Sequence, residues 1–156
     1  MPASRKTLLY VDDSRDDLFL FQKGCSQAGV SFHLESIDSG KEAIEYLQGV
    51  HRYSDRSKFP FPVMVLLDLK MPAPDGFDVL RWMRNDDGRK RVSVCIFTSS
   101  FQYEDIQTAY AERADCFLTK PPTLDRLTKI AAALDRCLSQ EPARFDELKE
   151  LPEFRQ

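Results

Sequence analysis

The sequence predicts an α/β fold built on a doubly wound parallel sheet, and three observations carry that prediction. Five short strand-like runs alternate with five amphipathic segments along the 156 residues, the pattern of βα units joined by right-handed crossovers. Four of those runs are continuously apolar, as strands covered on both faces are. Each of the four also runs into residues that can do chemistry, and open parallel sheets bind ligands beyond the carboxyl ends of their strands.

The elements follow in order. Leu8-Leu9-Tyr10-Val11 leads into Asp12-Asp13. Leu18, Phe19, Phe21, Gln22 and Cys25 then open a helix that Ser14 or Asp13 could cap and Gly29 could end. Phe32 to Ile37 alternates polar and apolar residues and is the weakest strand. Ser39-Gly40-Lys41-Glu42 starts a second helix carrying Ala43, Ile44 and Leu47. Val63 to Leu67 is the most apolar strand and runs into Asp68. A third helix starts just after Asp75-Gly76 and carries Phe77, Leu80, Arg81, Met83 and Arg84. Val92 to Phe97 leads into Thr98, a fourth helix covers Glu104 to Arg113, and Cys116-Phe117-Leu118 is followed by Thr119-Lys120-Pro121. The fifth helix, Asp125 to Leu138, places Leu127, Ile130, Ala131, Leu134 and Leu138 at helical spacing.

Two segments lie outside this alternation. Residues 49–62 (GVHRYSDRSKFPFP) are polar and aromatic, and a connection this long is usually functional or mobile, with a tolerated surface insertion as the alternative. After Leu138, Pro142 breaks the helix, and Phe145, Leu148 and Leu151 suggest a short amphipathic turn before Pro152. The expected division is therefore a domain over residues 6–138 and a tail over 139–156 too short to be an output domain.

Composition narrows the function. Apolar residues at 42% and charged residues at 30% fit a globular domain with a real core. The net charge of −3 argues against general binding to nucleic acid or to an anionic membrane. No stretch approaches the length of a membrane span, and Met1-Pro2-Ala3-Ser4-Arg5-Lys6 has no signal-type core behind it, so the cytoplasm is the expected compartment. Cys25, Cys95, Cys116 and Cys137 are widely spaced with only two histidines, which points to buried free thiols rather than to zinc or a disulfide framework.

The strand ends define the candidate site. Asp12 and Asp13 side by side need a compensating positive charge, and a magnesium ion supplies it through oxygen ligands while bridging to phosphate. Asp68 is a third acid. Three carboxylates carry three negative charges, magnesium leaves one, and Lys120 neutralises that. Such a site can receive a phosphoryl group on a carboxylate nucleophile, with Lys120 and the Thr98 hydroxyl holding the developing charge. Singly, each residue has an ordinary structural reading, as a helix cap, a strand-end hydroxyl or a turn. Their joint occurrence at the same end of four strands favours chemistry.

These residues resemble the receiver domain of two-component response regulators. Asp12-Asp13 resembles the family's acidic pair, and Leu67-Asp68-Leu69-Lys70-Met71-Pro72 its phosphoacceptor loop. Thr98, 30 residues beyond Asp68, resembles its switch hydroxyl, and Thr119-Lys120-Pro121, with Lys120 52 residues beyond Asp68, its lysine–proline turn. The resemblance covers roughly Lys6 to Leu138. It implies a flavodoxin-like (βα)5 sheet of order 2-1-3-4-5, with Mg2+ held by Asp13, Asp68 and the backbone carbonyl of Lys70 and reached by Asp12 through water. It implies that Asp68 takes a phosphoryl group from the phosphohistidine of a sensor histidine kinase, that Phe117 is the switch aromatic, and that the Lys120-Pro121 bond is cis. The chain then acts as a response regulator in a phosphorelay, switching a protein-interaction surface, and not as an enzyme in the ordinary sense.

The 49–62 insertion and Thr98-Ser99-Ser100 look like the stand-alone regulators paired with bacterial phytochromes. Lys70 lies where its ammonium could repel a metal or reach the phosphoryl group. The competing function is a magnesium-dependent phosphohydrolase working through an aspartyl phosphate. Hydrolases of the haloacid dehalogenase type place an acid two residues after the nucleophile, where this chain has Lys70. For self-association the expectation is a homodimer through the surface from fourth to fifth helix, helped by Phe145, Leu148, Leu151 and Phe154. The alternative is that these tail residues fold back on their own domain.

Overall fold

A computed structural model describes residues 5–99 and 102–156, the Lys90 side chain excepted; Ser100, part of the Thr98-Ser99-Ser100 run, lies outside the described residues. Five parallel strands, β1 (Thr7–Val11), β2 (His33–Ile37), β3 (Met64–Leu67), β4 (Ser93–Thr98) and β5 (Cys116–Thr119), form one sheet in the order β2-β1-β3-β4-β5. This is the flavodoxin-like arrangement, and each strand lies within a residue or two of its sequence-predicted bounds. The helices are α1 (Arg15–Ala28), α2 (Gly40–Gln48), α3 (Gly76–Arg84), α4 (Tyr103–Ala111) and α5 (Leu124–Leu138).

Alternation along the strands divides the apolar residues into two cores. Leu9, Val11, Val65, Leu67, Val94, Ile96 and Phe117 face α2, α3 and α4. Leu8, Tyr10, Met64, Leu66, Cys95, Phe97, Cys116 and Leu118 face α1 and α5. β2 reads as the weakest strand because it is an outer strand whose side chains stay partly exposed. Helix starts follow local chemistry. Ser14, not Asp13, caps α1 by accepting from the Asp17 amide at 3.2 Å, while Asp75 and Asp78 make a reciprocal capping box on α3. The four cysteines are free and buried, and burial pushes the Cys95 thiol well above its ordinary value, which leaves it an inert core group.

Residues 49–62 form a second aromatic layer rather than an open loop. A short 3-10 turn, His51–Tyr53, delivers Tyr53 into contact with Tyr46 and Phe59, with ring centroids 5.1 Å apart in both pairs. Arg56 ties the segment down by donating to the Leu47 and Phe59 carbonyls.

The tail folds back on its own domain. A 3-10 turn, Asp146–Glu150, buries Leu148 completely against the α5 side of the core, where Phe145, Leu151 and Phe154 also pack. Phe154 then bridges to Leu118 in antiparallel fashion, so the chain's last residues lie along the outer edge of β5. The apolar tail residues offered to a dimer surface are thus spent inside the chain. One expectation is corrected. The cis X-Pro bonds are Ala73-Pro74 and Glu141-Pro142, and Lys120-Pro121 is trans, the lower-energy form for X-Pro by about 0.5–1 kcal/mol.

Candidate phosphoryl-accepting site

Parallel pairing of β1, β3, β4 and β5 brings their carboxyl ends to one edge of the sheet. Asp12 and Asp13 follow β1, Asp68 follows β3, Thr98 ends β4, and Lys120 follows β5. One carboxylate oxygen each from Asp12, Asp13 and Asp68 lies within 4.8 Å of the others. Asp12 is fully buried, Asp68 is 5% exposed, and Asp13 is exposed. Two buried acids behind an exposed one form a crevice that is closed at the back and open at the front.

Lys120 is the counter-charge. Its ammonium lies 2.5 Å from Asp12 Oδ2, 2.8 Å from Asp17 Oδ2 and 3.5 Å from Asp68 Oδ2. Burial works to lower its pKa, but the hydrogen bonds to Asp12 and Asp17 and the charge of Asp68 raise it on balance, so Lys120 is held as a cation. Asp68 is shifted the other way. Burial raises its pKa, Lys120 opposes, Asp12 adds to the rise, and hydrogen bonds from the Thr98 hydroxyl and the Lys70 backbone oppose. The outcome is a raised value, meaning a carboxylate whose negative charge is costly and which gains from any further cation.

The loop carrying Asp68 is held at its base by Gly76. A Cβ there would sit 2.2 Å from the Asp68 carbonyl oxygen and 2.7 Å from the Leu69 Cα, and the Gly76 amide donates to the Leu69 carbonyl at 3.2 Å. Only glycine permits that approach. The Lys70 ammonium lies 3.6 Å from Asp105 on α4, an ion-pair partner outside the three-acid cluster.

Three participants escaped the sequence reading. Tyr10 donates to Asp12 Oδ2 at 2.6 Å, Asp17 shares Lys120, and Asp105 pairs with Lys70. Asp17 carried a signal in hindsight, an acid in the first turn of a helix that starts at the site; Tyr10 and Asp105 carried none. Phe117 is fully buried on the α4 side of the sheet.

The donor set suits a magnesium-type ion. It consists of hard carboxylate oxygens, with neither thiol nor imidazole, and the exposed Asp13 leaves an approach for the waters such an ion retains.

Residues 8–132 match the response regulator receiver domain. The chain belongs to that family. It is similar to the response regulator Rcp1 of Synechocystis, 30% identical over 130 residues, which is 83% of this chain and 86% of Rcp1. It is also similar to the probable methanogenesis regulatory protein FilR2 of Methanothrix harundinacea, 30% identical over 78% of this chain and 76% of that one. Among solved structures, the phosphorylated cyanobacterial phytochrome response regulator RcpA superposes with a TM-score of 0.79 at 27% identity, covering 88% of this chain and 96% of RcpA. The Mn2+-bound form of Rcp1 superposes with a TM-score of 0.72 over 83% of this chain and 91% of that one. The family is that of two-component signal transduction, and divalent metal binding is seen in one of its members of similar fold. Among the described residues no helix is long and apolar enough to cross a membrane.

Proposed function

We propose that the chain is a phosphorylation-controlled receiver in which Asp68 accepts a phosphoryl group from a sensor histidine kinase. The observation that carries the reading is the placement of the buried Asp68, whose carboxylate lies 3.5 Å from the Lys120 ammonium and clusters with those of Asp12 and Asp13. In the transfer, an Asp68 carboxylate oxygen forms a bond to phosphorus as the bond from phosphorus to the kinase histidine breaks, and the imidazole nitrogen keeps the electron pair. Asp12, Asp13, Asp68 and the Lys70 carbonyl would hold Mg2+, which supplies charge neutralisation for the transferred group. Lys120 offers a fixed cation beside the acceptor oxygen, and Thr98 a hydroxyl donor. Tyr10 and the Ser14 amide, at 2.6 and 2.9 Å, orient Asp12.

Thr98 and Phe117 would carry the state of Asp68 to the face formed by α4, β5 and α5, where the output partner is a protein. The phytochrome regulators among the similar proteins favour a phytochrome-type kinase as the donor, although FilR2 at the same identity belongs to another system. Incubation with acetyl phosphate and magnesium should add one phosphoryl mass to the wild type and none to Asp68→Asn. Equal labelling of the variant would sink the assignment of Asp68.

A further inference from the structure

The tail's contact with β5 and its flanking helices α4 and α5 is built from four hydrogen bonds and a paired charge. The Thr119 amide and hydroxyl both donate to the Glu153 carbonyl, at 2.9 and 3.3 Å. The Arg155 amide donates to the carbonyl of Phe117 at 2.8 Å, and the Tyr110 hydroxyl on α4 donates to the Arg155 carbonyl at 2.6 Å. Arg126 on α5 grips the Glu153 carboxylate with two bonds of 2.7 and 2.9 Å. Residues 153–155 therefore act as a short added strand that closes the open edge of β5 and joins α4, β5 and α5 into one surface.

This seam is one peptide away from the phosphoryl site. The Thr119 amide bonds to the tail, while the amide of the next residue, Lys120, donates to the Thr98 carbonyl at 2.9 Å. Phe117, whose carbonyl receives the tail, is fully buried. The docked tail thus coexists with a Thr98 hydroxyl that already reaches Asp68. A phosphoryl group on Asp68 adds acceptor oxygens for Thr98 and Lys120 and so favours the same arrangement.

We propose that the C-terminal segment is a strap whose docking on β5 is coupled to the phosphorylation of Asp68, clasped by the Arg126–Glu153 pair, so that each event strengthens the other. The coupling rests on the phosphoryl-acceptor role given to Asp68 above. Because linkage is reciprocal, loosening the strap must weaken the phosphorylated state by the same factor by which phosphorylation tightens the strap. Neither Arg126 nor Glu153 touches the crevice, so their effect is one of positioning.

The test uses the full chain with beryllofluoride and magnesium as the probe of the phosphorylated state. In the wild type the Thr119 and Arg155 amides should exchange several-fold more slowly once beryllofluoride is bound. Glu153→Arg, which sets two like charges together, should speed exchange at both amides and weaken beryllofluoride binding about fivefold or more. Adding Arg126→Glu to that variant restores the pair with reversed charges and should recover both properties. Wild-type exchange that is unchanged or faster on binding overturns the coupling. So does a Glu153→Arg chain whose tail is released while its affinity is unaltered, or one whose tail stays docked. A wild type that neither binds beryllofluoride nor gains a phosphoryl group overturns the Asp68 reading itself, and the coupling with it.

Discussion

Residues 49–62 and residues 139–156 are both additions to a five-fold βα alternation, and they are attached in different ways. The first is anchored to α2, through Tyr46, Leu47 and the Tyr53 and Phe59 rings. The second is anchored to β5, α4 and α5 together, through the strand that runs into Lys120. An addition that thickens one side of the core can change stability without changing the site. An addition bonded to the strand bearing the counter-ion cannot be altered without touching the site's equilibrium. Attachment, rather than size or polarity, decides which addition is regulatory.

The largest effect should come from the aromatic layer. Tyr53 is 1% exposed, and truncating a large buried ring costs about 3–5 kcal/mol. Tyr53→Ala should therefore lower the denaturation midpoint sharply while Asp68, in whatever fraction stays folded, still accepts a phosphoryl group from acetyl phosphate. Loss of labelling in the folded fraction would break the contrast, because the insertion would then act on the crevice.

Leu148→Ala is the matching change in the tail. Leu148 is fully buried under α5, and removing it costs about 2–5 kcal/mol. Much of that loss should appear as local release, with exchange at the Arg155 amide rising well before the core strands open. A variant in which tail and core amides lose protection together would make the tail one cooperative unit with the domain. Asp13→Ala, in the crevice itself, sets the scale for a direct effect. Removing one of three clustered carboxylates should weaken magnesium binding about tenfold or more, as measured by calorimetry, whereas neither Tyr53→Ala nor Leu148→Ala removes a ligand.

The parts of the molecule that were legible in the sequence are those fixed by local signals. Continuous apolar runs announced the strands, and the polar residues ending them announced the crevice, because a parallel sheet brings like ends together. Ser14 as the cap of α1 and Gly29 as its terminator, with its left-handed φ of 64°, follow from side-chain and backbone chemistry within a few residues. Contacts made by long-range folding were invisible. Nothing in the spacing of Asp17 and Lys120, or of Lys70 and Asp105, says that they meet. The Lys70 ammonium, for which the sequence leaves a metal or phosphoryl neighbour open, pairs with Asp105 brought in by α4. The tail was legible as apolar and in need of a surface, but which surface depended on the open edge of β5.

The smallest expected effect separates the strap from the rest by pH. Burial works to raise the pKa of Glu153, but the hydrogen bonds and charge of Arg126 outweigh it and hold the carboxyl below the usual glutamate range. A depressed value in the folded state means stability that is present above the unfolded value, near 4.3, and lost as pH falls through the folded one. Protonation then removes the charge from a pair worth about 1 kcal/mol, since Arg126 remains partly exposed. Tail amides should therefore begin to lose protection, measured against the same amides in an unstructured chain, only as pH falls below the unfolded glutamate value. Glu153→Gln, which keeps the shape and cannot titrate, should show the acid level of tail protection already at neutral pH and no further pH step of its own. Residues 49–62 have no comparable clasp on β5 and should not share this step. A Glu153→Gln chain with wild-type tail protection at neutral pH would show that the backbone bonds alone hold the strap, and that the Arg126 pair is not its clasp.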